Sequence, residues 1–456
     1  MSTSEKPVSL EEQVDQWRSF LLRRQAIHSV DVAELEDHLR EQVAALIKAG
    51  LSIDEAFLVA VKRMGALDEL TREFAREHSD RLWKQLVVLP EDVRDQGERT
   101  RSDAFAAFAF AVAAGVLMKL PELFGMRLAE NERFYAHNLS LFVLPLLSGY
   151  FVWKRRLGTR MLGFLALAFS AAGVFANVYP FAPGGSTEVL SVIHLPIALW
   201  FAVGMSYSGG RWNEIAGRMD FIRFSGELFI YYVLIARGGG VFTAFLMMMF
   251  KTIGVDAEWF IQSWLIPCGA EGAVLVASWL VEAKQSVIEN MAPVLTRLFT
   301  PLFAILLVTF LATMLLTGRA LDIEREVLIA FDLLLVVVLG LLLYSVSARD
   351  AQLPRGVFDV MQIVLVVSAL LADTVALWAI SARISEFGYT PNRVAGLGVN
   401  VILLANLTWS AVLYIRFLRG RRPFTDLERW QTNYLPVYAV WGAIVVIVFP
   451  FVFGYV

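Results

Sequence analysis

Two apolar stretches, Glu227-Leu-Phe-Ile-Tyr-Tyr-Val-Leu-Ile-Ala-Arg237-Gly238-Gly239-Gly240 and Trp264-Leu-Ile-Pro267-Cys268-Gly269-Ala270-Glu271-Gly272, decide how this chain is read. The first continues apolar to Phe250 and the second to Val281. Each is about the length that crosses a bilayer, since roughly 20 residues at 1.5 Å rise span about 30 Å of hydrocarbon. Counted from Ser225 and Trp259, Arg237 and Glu271 each stand twelve residues into their spans, which run in opposite directions. Both charges are therefore expected near the bilayer centre, where an ionised side chain needs a partner or a wet cavity. The triple glycine and Pro267 predict local unwinding, with freed backbone groups open to a head group or ion. A buried Arg237–Glu271 salt bridge locking two helices is the competing structural reading. Close helix packing is the plain reading of the glycines.

The whole composition agrees with a membrane protein. Of 456 residues 57% are apolar and only 18% charged, with mean hydropathy +0.58. Soluble domains lie nearer 45–50% apolar and about 25% charged. A net charge of −3 without a basic stripe excludes general nucleic-acid affinity. The single cysteine, Cys268, excludes an internal disulfide framework and cysteine-rich metal sites. No phosphate-binding Gly-x-x-x-x-Gly-Lys-Ser/Thr, His-Glu-x-x-His or Gly-x-Ser-x-Gly is present. The sequence thus names no cofactor, metal or catalytic residue, and an enzyme has no positive signal.

Charge is concentrated before residue 104, and apolar runs dominate after it. The expected fold is all-α: a cytosolic helical module at 1–90, a linker at 91–103 and a polytopic transmembrane bundle at 104–456. About eleven spans are expected, near 104–120, 138–153, 161–178, 188–207, 225–250, 259–282, 295–317, 326–348, 357–381, 394–415 and 434–454. With the N-terminus inside, the cytoplasmic loops hold 16 basic residues and the opposite loops 7. That bias predicts a cytoplasmic N-terminus and a periplasmic C-terminus. It also opposes a re-entrant hairpin at 225–250, which would place the basic run Arg416–Arg429 outside.

Further polar residues extend the central layer: His194, Asp373, Thr374, Asn400, Asn406 and Thr408. His194, Asp373 and Asn400 are expected in the outer half, lining a cavity with the central pair. Asparagine and threonine more often join helices, whereas Asp373 at depth wants a partner or water. Glu227 and Asp332 are expected in the first turns of their spans, as interfacial anchors. The candidate substrate-binding set is Arg237, Gly238, Gly239, Gly240, Glu271, Asp373 and His194.

Residues 8–88 read as four short helices. Val14, Trp17 and Leu21 form one stripe, and Leu35, Leu39, Val43 and Leu46 the next. Gly50 stops the second helix, and Ser52-Ile-Asp-Glu55 is a capping box for the third, which Gly65 ends. Leu67, Leu70 and Phe74 begin the fourth. Glu34, Asp37, His38 and Glu41 share a helix face, but no histidine-rich segment opposes them, and a solvated face is the simpler reading.

Leu35-Glu-Asp-His38-Leu-Arg-Glu41, Gly50-Leu-Ser-Ile-Asp-Glu55-Ala56 and Arg63-Met-Gly65 resemble the permease-prefix or HAAS-type helical module over about residues 8–80. That resemblance implies a cytosolic regulatory or docking role ahead of a bacterial membrane protein. Arg383-Ile-Ser-Glu-Phe-Gly388-Tyr-Thr390-Pro391-Asn-Arg393, the basic Arg416–Pro423 loop and Asp426-Leu-Glu428-Arg-Trp430-Gln-Thr-Asn433-Tyr434-Leu-Pro436 resemble, with the Gly238–Gly240 span, a polytopic bacterial family known as domain of unknown function 4153. This resemblance covers about residues 100–456 and brings no assigned reaction. Locally, Gly388 permits a turn, Thr390 caps a helix and Pro391 opens it. An anion contact by Arg383, Tyr389 and Arg393 is the alternative.

These readings lead to a bacterial inner-membrane transporter, permease or flippase for a small or lipidic, anionic solute. The alternative is a signalling scaffold that docks a cytosolic regulator on residues 1–90, and a weaker third is a transferase acting on a lipid-linked substrate. The partners this architecture admits are membrane lipids, a regulator at residues 1–90 and a second copy of the chain. A reporter fused after Val456 is expected to be active only where it is exported; cytoplasmic activity would remove the eleven-span topology.

Overall fold

The computed structural model describes residues 10–11, 13–15, 17, 29–64, 90–252, 254–283, 291–317, 325–349 and 355–456. They fall in two compact units, Met1–Arg101 and Ser102–Val456.

In the first unit, α1 (Ser29–Lys48) and α2 (Ile53–Met64) pack against each other. Leu39 and Val43 of α1 meet Ala56, Phe57, Ala60 and Val61 of α2, and Val14 and Trp17 complete the core. The chain turns between them at Gly50, whose φ of +98° suits glycine. The expected capping box is formed. The Ser52 amide donates to Glu55 Oε2 at 3.0 Å, and the Glu55 amide donates to Ser52 Oγ at 3.4 Å. The Ser52 hydroxyl, with its amide, holds the Glu55 carboxyl below the usual glutamate value. Gly65 and the expected fourth helix, with Leu67, Leu70 and Phe74, lie outside the described residues, as do the side chains of Glu34 and His38. Among the described residues no group of three or more His, Cys, Asp or Glu side chains could hold a metal ion.

The expected polar linker is helical: α3 runs Pro90–Lys119. Polar composition alone does not interrupt a helix.

The second unit holds α4 (Glu132–Lys154), α5 (Thr159–Val178), α6 (Ser186–Tyr207), α7 (Ile215–Thr252), α8 (Ile266–Ala283), α9 (Met291–Thr317), α10 (Arg325–Ala348), α11 (Val357–Phe387), α12 (Pro391–Leu418) and α13 (Thr425–Ile447). Among the described residues there is no strand, and ten helices are long and apolar enough to cross a membrane. The protein is thus an all-α polytopic bundle. The stretch expected as the eleventh span is not one of these ten. α13 begins at Thr425 with Asp426, Glu428, Arg429, Gln431 and Asn433, and ends at Ile447, before the short α14 (Phe449–Val452). It nevertheless packs against α6 and α12 within the bundle. There Gly398 of α12 is obligatory, because a Cβ would stand 2.0 Å from the Trp441 ring of α13.

Two principal apolar cores divide the bundle. One is built on α9–α13, including Leu307, Leu335, Leu365, Ala369 and Leu403. The other joins α3 to α4, α6, α7 and α8, including Ala111, Leu147, Leu199, Phe224 and Leu275. Hydrocarbon offers no hydrogen bonds, so polar residues in such a bundle must satisfy one another. Glu282 of α8 accepts from Arg155 at 2.7 Å and pairs with Lys154, which also reaches Asp103 of α3 at 3.2 Å. Gln431 of α13 meets Asn406 at 3.1 Å and Ser410 at 2.7 Å, and all three are fully buried. Arg349 grips Asp359 with two hydrogen bonds of 2.8 and 3.1 Å. Its guanidinium also lies over Phe424 and Phe417, at 4.5 and 4.8 Å.

At α12 the local reading holds. Thr390 accepts from the Arg393 amide at 3.4 Å, and Pro391 opens the helix. Arg393 donates to the carbonyls of Phe387 and Gly388 at 3.1 and 2.8 Å, so its guanidinium caps the end of α11. Removing the anion of the three-helix lock, Glu282→Gln, is expected to lower stability by about 3 kcal/mol, because two cations lose their shared partner. Thermal unfolding in detergent measures this, and an unchanged melting temperature would show the lock to be unimportant.

Candidate functional site

The expected break at Gly238–Gly240 is absent. α7 is a single helix of 38 residues, about 57 Å long. Each glycine keeps its N–H, so the hydrogen-bond ladder survives at a cost of about 1 kcal/mol per glycine relative to alanine. Opening the ladder in hydrocarbon would cost several kcal/mol for each orphaned group. Proline has no such choice. Ahead of Pro267 the chain forms a π-helical turn at Ile261–Leu265, which absorbs the missing donor and the ring. Close packing explains some glycines and not others. A Cβ on Gly115 would sit 3.3 Å from Cys268 Cβ, and one on Gly272 would sit 3.6 Å from the Ala111 carbonyl oxygen. A Cβ on Gly238, Gly239 or Gly240 would meet nothing within 4 Å.

The expected Arg237–Glu271 bridge is also absent among the described residues. Arg237 is exposed on α7, while Glu271 is 3% exposed with Oε2 unpartnered. Gly272 lies on Ala111, which is eight residues from both Asp103 and Lys119 along α3, so Glu271 is near the middle of the bundle. Helix rotation keeps the two charges apart: Glu271 faces inward and Arg237 stands on the exposed face of α7, which counting residues along a span does not give.

Asp373 is fully buried in α11, and neither of its carboxylate oxygens has a hydrogen-bond partner. The other core also brings Asp332 and Asn400 together: Asn400 Nδ2 donates to Asp332 Oδ1 at 2.9 Å. Asp332, half-buried, stands at the start of the apolar span Phe331–Ala348. Glu227 is buried, the thirteenth residue of α7. His194, half-buried, places Nδ1 2.8 Å from the Leu190 carbonyl of its own helix. Arg237, Glu271, His194 and Asp373 thus form no common cluster; no hydrogen bond or ion pair joins any two of them among the described residues.

One polar assembly was missed from the sequence. Glu188 of α6 pairs with Arg133 of α4, lies 2.7 Å from His137 Nε2, and accepts from the Gly184 amide at 2.8 Å. His137 Nδ1 is 2.8 Å from the Ala176 carbonyl. Arg133 and His137 do share one helix face at a four-residue spacing, but nothing in the sequence ties that face to a glutamate 51 residues away. With every strong group engaged, this assembly closes one end of the bundle.

Chemically, the described bundle offers two kinds of buried acid: those neutralised by cations (Glu188, Glu282, Asp359) and those that are not (Glu271, Asp373). Exchange of a proton or cation belongs to the second kind. Arg237→Gln is expected to change stability by less than about 0.5 kcal/mol, as for other exposed positions. Loss of the folded protein in a detergent melting assay would restore a structural role for the guanidinium. No family model, curated protein or solved structure matches this chain.

Proposed function

We propose that this integral membrane protein is a permease for a small or lipidic solute, with transport coupled to protons through Glu271. The carrying observation is its buried carboxyl, near mid-bundle, with one oxygen unpartnered. An uncompensated acid in hydrocarbon is costly, and a proton that enters and leaves it would give that cost a purpose. Arg237 suits an anionic lipid head group, since it is exposed and Gly238–Gly240 leave the adjacent surface without side chains. The loop charges favour a bacterial inner membrane with the N-terminus in the cytoplasm and the C-terminus in the periplasm. Residues 1–90, with their permease-prefix resemblance, would regulate the bundle by docking a cytosolic partner.

The signalling reading draws on one observation, that the first unit has a core of its own. The two readings separate experimentally. Native mass spectrometry of gently extracted protein is expected to reveal a bound lipid or small anion. Proteoliposomes should take that compound up under an imposed pH gradient, and Glu271→Gln should abolish the gradient dependence while the protein stays folded. Gradient-driven uptake equal in parent and variant would remove Glu271 from the mechanism. A protein that retains and transports nothing, but binds a cytosolic partner through residues 1–90, would favour the scaffold.

A further inference from the structure

Two connections at one end of the bundle bring arginines together. Arg416, Arg419, Arg421 and Arg422 crowd the end of α12, and all are exposed. Arg355, just ahead of α11, is exposed as well and meets them in space: a Cβ on Gly420 would stand 3.1 Å from both Nη1 and Nη2 of Arg355. Gly420, at φ +73°, makes the turn after α12. The Arg355 guanidinium therefore lies against the backbone that joins Arg419 to Arg421. It also stands over the Phe417 ring at 5.6 Å, as Arg416 stands over Trp409 at 5.7 Å.

The acids of this end are engaged elsewhere. Arg349 holds Asp359 through two hydrogen bonds, and Asp426 pairs with Arg422 at 3.5 Å. Glu428 is half-buried and makes no ion pair among the described residues. Among the described residues Arg355, Arg416, Arg419 and Arg421 form no ion pair either. Like charges gathered in this way repel, and an anion seated among them removes that cost.

The surface that follows Arg355 is apolar. Val357, Val360, Val364, Val367 and Leu371 recur along α11 at three- and four-residue spacing, so they share one face. All five are exposed. From Val357 to Leu371 this face runs about 21 Å, longer than the roughly 15 Å of hydrocarbon in one leaflet. Trp409, which Arg416 covers, is exposed too and belongs to the residue type that anchors at the membrane interface. Cations at the head of a lipid-facing apolar strip complement an anionic lipid. The guanidinium fork matches two phosphate oxygens, and the strip matches an acyl chain, which a soluble anion lacks.

We propose that an anionic glycerophospholipid binds here, its phosphate held by Arg355, Arg419 and Arg421 and one acyl chain lying along the Val357–Leu371 face of α11. Arg237 and Glu271 take no part, so this inference stands apart from the proton-coupled reading.

The test melts the purified full-length protein in an uncharged detergent with added phosphatidylglycerol, phosphatidylcholine or inorganic phosphate, at neutral pH and equal ionic strength. Phosphatidylglycerol alone is expected to raise the melting temperature, saturably, as mass action requires of a ligand that binds the folded state. High salt should weaken the rise. The variant Arg355→Gln/Arg419→Gln/Arg421→Gln should need about a hundredfold more lipid, for three lost cations. Arg127→Gln/Arg160→Gln, which changes two exposed arginines elsewhere, should respond as the parent does. Should the triple variant fail to fold, Arg419→Gln and Arg421→Gln replace it singly, each with about fivefold weaker response. Equal melting in the two lipids, the same rise from inorganic phosphate, a response unchanged in the arginine variants, or one lost in Arg237→Gln instead would each overturn the proposal.

Discussion

Hydrocarbon gives a polar group nothing to bond to, and most of this structure follows from that constraint. It keeps α7 helical through three glycines, since the ladder costs less to keep than to open. It confines the irregular backbone to Ile261–Leu265, where Pro267 removes a donor outright. It recruits Arg393 to cap the end of α11 and Thr390 to cap the start of α12.

The same constraint sorts the buried side chains. Gln431, Asn406 and Ser410 bond to one another, and Glu282, Glu188 and Asp359 each take a cation. These contacts join helices distant in sequence, as Arg155 and Glu282 show across 127 residues. A double hydrogen bond such as Arg349–Asp359 fixes direction as well as charge. Against that background Glu271, Asp373 and the carbonyl of Asn400 stand out. A bundle that elsewhere neutralises its acids leaves these without a counter-charge among the described residues. Buried and without a counter-charge, they contribute little to stability.

The first unit solves a different problem with smaller means. Its described core rests on a few side chains around Trp17 and Phe57. A compact helix pair of this kind depends on local signals, and here the Gly50 turn and the Ser52–Glu55 box supply them.

By itself the sequence determined the helical membrane class, ten of the spans, the capping at Ser52 and Thr390, and the presence of acids at depth. Hydropathy and capping are local properties, readable from a run of neighbours. Only the tertiary structure decided which charges meet. Arg237 and Glu271 are matched when counted from apolar boundaries, yet α7 turns the arginine outward while Glu271 is buried. Asp332, read as an anchor, meets Asn400 of α12 across 68 residues of sequence. Helix rotation and the choice of neighbouring helix set these pairings. These arise from packing against other helices, and no stretch of one helix encodes them alone.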